Sequence, residues 1–159
     1  MGTMFYYARS VYPTMIQEIN DILRSQSRPK WDTKYKARML LDYAAKYPNE
    51  ILRYKASDIV LHVDSDAEYI TMIEARICYA GHFYLRYCPS PSAIKPNPNI
   101  NGPIHTECKT ILDVVSSAAE AETCGTFNNR KTYIGMRQAL IALDHNQPAT
   151  PLNTKNSTT

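Results

Sequence analysis

The sequence lacks several features that mark large functional classes of protein. No apolar run approaches the length of about 18 residues that a membrane-spanning helix needs, so we expect no membrane partner. The first residues contain neither a long apolar run nor a small-residue cleavage site, so we expect no signal peptide. Only five glycines are present, and none belongs to a Gly-rich loop of the kind that cradles phosphates.

The sequence also has no two cysteines at the short spacing of a metal-binding or redox motif. The four cysteines stand at positions 78, 88, 108 and 124, and no two form a C-x-x-C pair. A structural zinc site needs four ligands at short paired spacings, so His105 and Cys108 alone are weak evidence for one. We therefore expect reduced thiols and an intracellular location, in the cytoplasm or the nucleus.

The composition is that of a globular protein. Hydrophobic residues make up 44% of the 159-residue chain, which is enough for a core. The net charge of +3 is mildly basic, and it permits nucleic-acid binding without requiring it.

The first 52 residues carry signals for two helices. Pro13 suits the start of a helix over 13–26, where apolar residues recur at three- and four-residue spacing. A second helix is expected over 32–47, with Asp32 as its N-cap. The residues expected on its buried side are Tyr35, Met39, Leu40 and Tyr43.

This second helix has a basic edge. Its cations are Lys30, Lys34, Lys36 and Arg38. A solvated helix face is the simpler interpretation, and a face that contacts nucleic-acid phosphates is the alternative.

The sequence after position 53 favours strands and then helices. Strands are expected at 58–66, 69–78, 80–88 and 103–110, with two helices at 113–128 and 131–144 and a possible final strand near the end. The short connections between the first three strands imply antiparallel neighbours. Five of the ten prolines fall in 89–103, which we expect to be a surface loop.

Two acidic clusters stand out in this second region. In "LHVDSDAEYI" (61–70), strand alternation places Asp64 and Asp66 on one face and Leu61 and Val63 on the other. The acids form either a wet outer face or a site for chemistry. In "SSAAEAET" (116–123), helical spacing turns the two glutamates about 200° apart, so only one can face a sheet. Glu122 can then reach the first strand, or both glutamates are solvated.

Several strings together resemble one known family. They are "SDAEY" (65–69), "ARICYAGHFYL" (75–85), "NGPIHTECKTILDVVSSAAEAE" (101–122) and "PLNTKNS" (151–157). In this order they resemble the ribonuclease H region of copia-like retroelement polyproteins, and the upstream residues resemble the connection that follows the polymerase. The resemblance implies a helical connection segment of two helices over 1–52. It also implies a ribonuclease H-like α/β domain over 53–159, with a mixed sheet and helices, whose last strand and helix are missing.

The resemblance also implies a site and a reaction. Asp66 matches the first catalytic acid and Glu122 the second, and the family uses such acids to hold two Mg²⁺ (or Mn²⁺) ions. Lys155 stands where the family has a metal-binding aspartate, and a fourth acid has no counterpart. We therefore expect impaired cleavage of the RNA strand of RNA/DNA hybrids. The alternative is a non-catalytic remnant or co-opted module that binds nucleic acid or protein, for instance the reverse transcriptase part of a polyprotein.

Overall fold

A computed structural model describes residues 2–69, 77–87 and 101–148. The chain divides into two units, Met1–Leu52 and Arg53–Thr159. The first unit is helical, and the second combines a sheet with one long helix. Within the described ranges, no helix is both long and apolar enough to cross a membrane.

The first unit contains three α-helices. They are α1 (Gly2–Ser10), α2 (Ile16–Arg24) and α3 (Trp31–Lys46), and a short 3-10 turn at Pro13–Met15 leads into α2. The predicted apolar face of α2 is confirmed, because Ile16, Ile19 and Ile22 are buried. The helix α1 has no counterpart among the helices expected from the sequence.

The helix α3 differs from its prediction in two ways. It begins at Trp31, so Lys30 and not Asp32 is the N-cap, and the Thr33 hydroxyl accepts a hydrogen bond of 3.3 Å from the Lys30 backbone N–H. The expected buried side is wrong for three of its four members, since only Leu40 is buried. The reason is that α3 packs through a narrow strip around Leu40, which leaves Tyr35, Met39 and Tyr43 largely exposed.

The second unit is built on a three-stranded antiparallel sheet. Its strands are β1 (Val60–Glu68), β2 (Ile77–Arg86) and β3 (Pro103–Ile111), in the order β1-β2-β3. The helix α4 (Ala118–Ala142) follows β3 and packs on the sheet. All pairs of described strands are antiparallel, and the segment that would make the sheet mixed, near 151–157, lies outside the described residues.

Two sequence predictions for this unit need correction. The expected break between the strands 69–78 and 80–88 is absent, because β2 is continuous from Ile77 to Arg86, and residues 70–76 lie outside the described part. The two helices expected at 113–128 and 131–144 are a single helix, α4. The Asn128-Asn129 pair resembles a helix break, but Asn129 directs its side chain into the sheet and the backbone stays helical.

One face of the sheet carries the core beneath α4. Leu61, Val63 and Phe83 are buried there, and Tyr133 and Met136 of α4 pack against them. The predicted alternation along β1 is therefore confirmed, with the apolar residues toward the helix and the acids on the other side.

Close approach of α4 to the sheet depends on a glycine and an asparagine. Asn129 is fully buried, and its Nδ2 donates to Ser65 Oγ (2.7 Å) and to the Ala80 carbonyl (2.8 Å). The amide of Asn129 occupies the space above Gly81 where a Cβ would otherwise stand. The sheet position beneath Asn129 therefore has no room for a side chain.

After α4 the chain returns to the edge of β1. The Gln147 side chain accepts a hydrogen bond from the Leu61 N–H (3.0 Å) and donates one to the Ile59 carbonyl (2.8 Å). The Arg137 guanidinium donates to the backbone carbonyls of Gln147 and Pro148, at 2.8 and 3.2 Å. The described chain thus ends beside the start of β1.

We predict that Gly81→Ala destabilises the second unit by about 2–3 kcal/mol, because the new methyl group overpacks the interface and displaces the Asn129 amide from its partners. Urea unfolding followed by circular dichroism measures the loss. Gly135→Ala is the matched control, since Gly135 lies in α4 with open space around it and should gain up to about 1 kcal/mol. Equal effects of the two substitutions would contradict the packing described.

Candidate functional site

The structure brings Asp66 and Glu122 to the same end of β1. Asp66 is exposed near the end of β1, and Glu122 is partly buried near the start of α4. The backbone N–H of Ala67 hydrogen-bonds the Glu122 carboxylate. Burial raises the pKa of Glu122, and the negative charge of Asp66 raises it further. At this end of β1, two acids from separate sequence motifs therefore interact electrostatically.

Packing of the first turns of α4 brings Glu122 to this position. Ala121 is fully buried against Ile77 and Tyr79, and the neighbouring Glu122 consequently reaches β1. One turn later, a Cβ added to Gly125 would come within 3.1–3.2 Å of Tyr79 and Ala67. This close approach of helix and sheet keeps the Glu122 carboxylate within reach of the β1 backbone.

The loop before α4 is tied to β1 as well. The Tyr69 hydroxyl, just after β1, donates a hydrogen bond of 2.8 Å to the Ser116 carbonyl. Ser117 is the N-cap of α4, and its Oγ accepts from the Glu120 N–H at 3.2 Å. These contacts fix where the helix starts and therefore which of its residues face the strand.

The other glutamate of the motif, Glu120, has a different role. Glu120 accepts hydrogen bonds from the Ser116 backbone N–H (2.8 Å) and the Ser116 hydroxyl (2.7 Å), and these bonds lower its pKa. It therefore caps the exposed start of α4. The structure thus separates the pair in the way that helical spacing predicts, with Glu122 toward the sheet.

The other acids of β1 do not join the site in the same way. Asp64 shares the outer sheet face with Asp66, but it hydrogen-bonds the Tyr84 side chain and lies opposite His82 in the strand register. Burial raises the pKa of Tyr84, and the charge of Asp64 adds to that rise. Asp64 is thus engaged in a polar cluster farther along the strand.

The donor set fits one divalent ion better than two. In the ranges that the structure describes, no group of three or more His, Cys, Asp or Glu side chains is arranged to hold a metal. Mg²⁺ commonly binds through one or two carboxylates and keeps several waters, and Asp66 and Glu122 are the residues that would hold it here. Two ions would need further carboxylates, and Lys155, at the position of an expected one, lies outside the described residues.

The predicted nucleic-acid contacts lie in the first unit, whereas the acids lie in the second. Lys34, Lys36 and Arg38 belong to α3, and Lys30 precedes it. Two of these cations have acidic partners on the same helix, with Lys36 Nζ 3.8 Å from Asp32 and Arg38 Nε 4.0 Å from Asp42. Such exposed pairs contribute little to stability.

A cluster of rings that the sequence did not predict lies on the outer sheet face. The rings of His62 and His82 lie 5.9 and 5.5 Å from the ring of Tyr84. Burial lowers the pKa of both histidines, and among the described residues their buried Nε2 atoms have no hydrogen-bond partner. In the sequence, His62 and Asp64 are two residues apart and so share one face of β1. Only the pairing of β1 with β2 shows that Tyr84 and His82 lie opposite them.

A second missed group is the buried carboxylate of Glu107. Its Oε1 lies 2.8 Å from Lys109 Nζ and 3.3 Å from His105 Nε2. The hydrogen bond from His105, followed by the contact with Lys109, lowers the pKa of Glu107 to about 2. All three side chains stand on alternate residues of β3, so this is an ion network within one strand.

Comparison with known proteins returned no match for this chain among family models, curated proteins or solved structures. The assignment to the ribonuclease H-like family therefore stays a prediction from the sequence motifs. The meeting of Asp66 with Glu122 is an independent observation from the structure.

We predict that Glu122→Gln raises the melting temperature at pH 7 by on the order of 1–3 °C. The raised pKa of Glu122 means that folding favours its protonated form, so ionisation costs stability as the pH rises through the folded pKa. At a pH below the ordinary glutamate pKa the advantage should vanish. Glu120→Gln is the control and should lower the melting temperature, because the pKa of Glu120 shifts the other way. A shift of the same sign in both variants would count against the site.

We also predict that stability falls as the pH drops below the ordinary histidine pKa of about 6.5. His62 and His82 have lowered pKa values, so the unfolded chain binds more protons than the folded chain in this range. Thermal unfolding between pH 7.5 and 5.5 measures this dependence. The double variant His62→Gln/His82→Gln should flatten the profile, and an unchanged slope would show that other groups cause it.

Proposed function

We propose that the second unit is a retroelement-derived ribonuclease H-like domain whose cleavage of RNA in RNA/DNA hybrids is impaired. The observation that carries this proposal is the meeting of Asp66 and Glu122. The sequence motifs single out these two acids for their match to a nuclease, and in the structure the charge of Asp66 raises the pKa of Glu122.

The order of elements supports the same proposal. Three antiparallel strands precede a helix that packs on their sheet, with one acid at the end of the first strand and the other at the start of the helix. This is the order that the resemblance implies for the first part of such a domain. Under this proposal the protein acts inside the cell, on hybrid duplexes or beside a reverse transcriptase.

The two carboxylates differ in how they would serve a metal. Asp66 is exposed and available to Mg²⁺ or Mn²⁺, whereas Glu122 is held by the Ala67 N–H and repelled by Asp66. A bound cation would relieve this repulsion and supply the Lewis acid that phosphodiester cleavage needs. Asp66 and Glu122 therefore determine where a cation would bind.

We expect impaired cleavage because the acid pair lacks the further carboxylate ligands that the family uses. Lys155 replaces a carboxylate ligand with a cation, which would repel a bound metal ion. Two unit charges about 4 Å apart interact by about 4 kcal/mol at an effective dielectric of 20. Because the described residues add no third ligand, the alternative function is a non-catalytic module that still binds nucleic acid.

The test is hybrid cleavage by the purified chain with Mg²⁺ or Mn²⁺. We expect cleavage near background, with no further loss in Asp66→Asn and little recovery in Lys155→Asp. Strong cleavage that disappears in Asp66→Asn would contradict the impairment and establish an active nuclease.

Hybrid binding in the absence of divalent ions tests the property that the two functions share. Salt-dependent affinity for a hybrid duplex is expected from either, because phosphate contacts release counterions. Failure to bind at low salt would reject both and leave a remnant without nucleic-acid function.

A further inference from the structure

The outer face of α3, which lies about 100–180° around the helix from the buried Leu40, carries an unusual row of exposed side chains. Trp31, Tyr35 and Met39 follow one another at four-residue spacing, so they lie along one line of the helix. Their exposed fractions are 81%, 58% and 52%. A tryptophan with this exposure, continued by two more large side chains, is typical of a surface that binds a partner.

Cations surround this row. Lys34 Nζ lies 5.5 Å from the centre of the Trp31 ring. Lys30 is the residue immediately before Trp31 in the chain. At the other end of the helix, Lys46 Nζ lies 5.4 Å from the centre of the Tyr47 ring. Asp32 and Asp42, the two acids of α3, are each within 4.0 Å of another cation, Lys36 or Arg38. The face is therefore both aromatic and positively charged.

This combination points to one class of partner. An apolar protein surface would bury the rings but would also desolvate the lysines, which is costly. Double-helical nucleic acid offers phosphates to the lysines but keeps its base faces stacked inside the duplex. A single strand offers both, because its bases stack on aromatic rings and its phosphates accept lysine contacts.

We propose that the outer face of α3 binds single-stranded nucleic acid. Bases stack on Trp31 and Tyr35, and the phosphates between them lie against Lys30 and Lys34. This surface belongs to the first unit and needs neither a metal nor the acids of the second unit. It is thus a binding activity separate from the hybrid cleavage proposed above.

Fluorescence of the full chain tests the proposal, because Trp31 is the only tryptophan. A short oligodeoxythymidine is titrated in the presence of EDTA, which removes any contribution from a divalent ion. We expect quenching of the tryptophan emission and an affinity that falls between about 50 and 200 mM salt. The same sequence as a duplex with oligodeoxyadenosine should bind more weakly.

Variants are compared by the anisotropy of a labelled oligonucleotide. Trp31→Ala should weaken binding by about 5- to 150-fold, the equivalent of one stacked base. Lys34→Ala should weaken it and reduce the salt slope by about 0.7. Tyr6→Ala is the matched control, since Tyr6 is a ring of α1 that is 75% exposed, and it should leave the affinity unchanged.

Three results would overturn the proposal. The first is an oligonucleotide that binds without changing the tryptophan emission, or does not bind. The second is a Trp31→Ala variant that binds as tightly as the parent chain, or a duplex that binds as tightly as the single strand. The third is an emission shift with protein concentration alone, which would assign the face to contact with a second copy of the chain.

Discussion

The seating of α4 on the sheet is the constraint on which the second unit depends. Asn129 donates from α4 to β1 and β2 at once, and Gly81 leaves the space that its amide fills. One turn earlier along the same helix, Gly125 comes close to Ala67 and Tyr79. Because these contacts set the height of the helix over the strands, they also determine how far Glu122 can reach.

The acid pair is a consequence of that seating. Alternation along β1 directs Asp66 away from the helix side, yet Glu122 crosses to the Ala67 N–H and lies within the field of Asp66. Two carboxylates in this arrangement repel each other and cost stability at neutral pH. Such a cost is typical of sites in which acids bind a cation or take part in a reaction. The packing of α4, which produces this repulsion, is in this way related to the proposed nuclease ancestry.

The sequence predicted those features that depend on local periodicity. Strand alternation identified which side of β1 carries the acids, and helical spacing showed that Glu120 and Glu122 cannot both face the sheet. It did not predict the unbroken helix through Asn129, the exposure of Tyr35 and Met39, or the rings around Asp64. The first and the last depend on a partner distant in sequence, the Ala80 carbonyl for Asn129 and His82 for Asp64, and the exposure of Tyr35 and Met39 follows from how little of α3 is packed. The part played by Lys155 lies outside the described residues and stays a prediction.

The coupling between Asp66 and Glu122 is best measured directly by carboxyl-carbon NMR titration of Glu122 without divalent ions. In the parent chain we expect a pKa above the ordinary glutamate value, and in Asp66→Asn a pKa that moves back toward that value while burial still raises it. A Glu122 pKa at the ordinary value, or one that Asp66→Asn leaves unchanged, would contradict the paired-acid site.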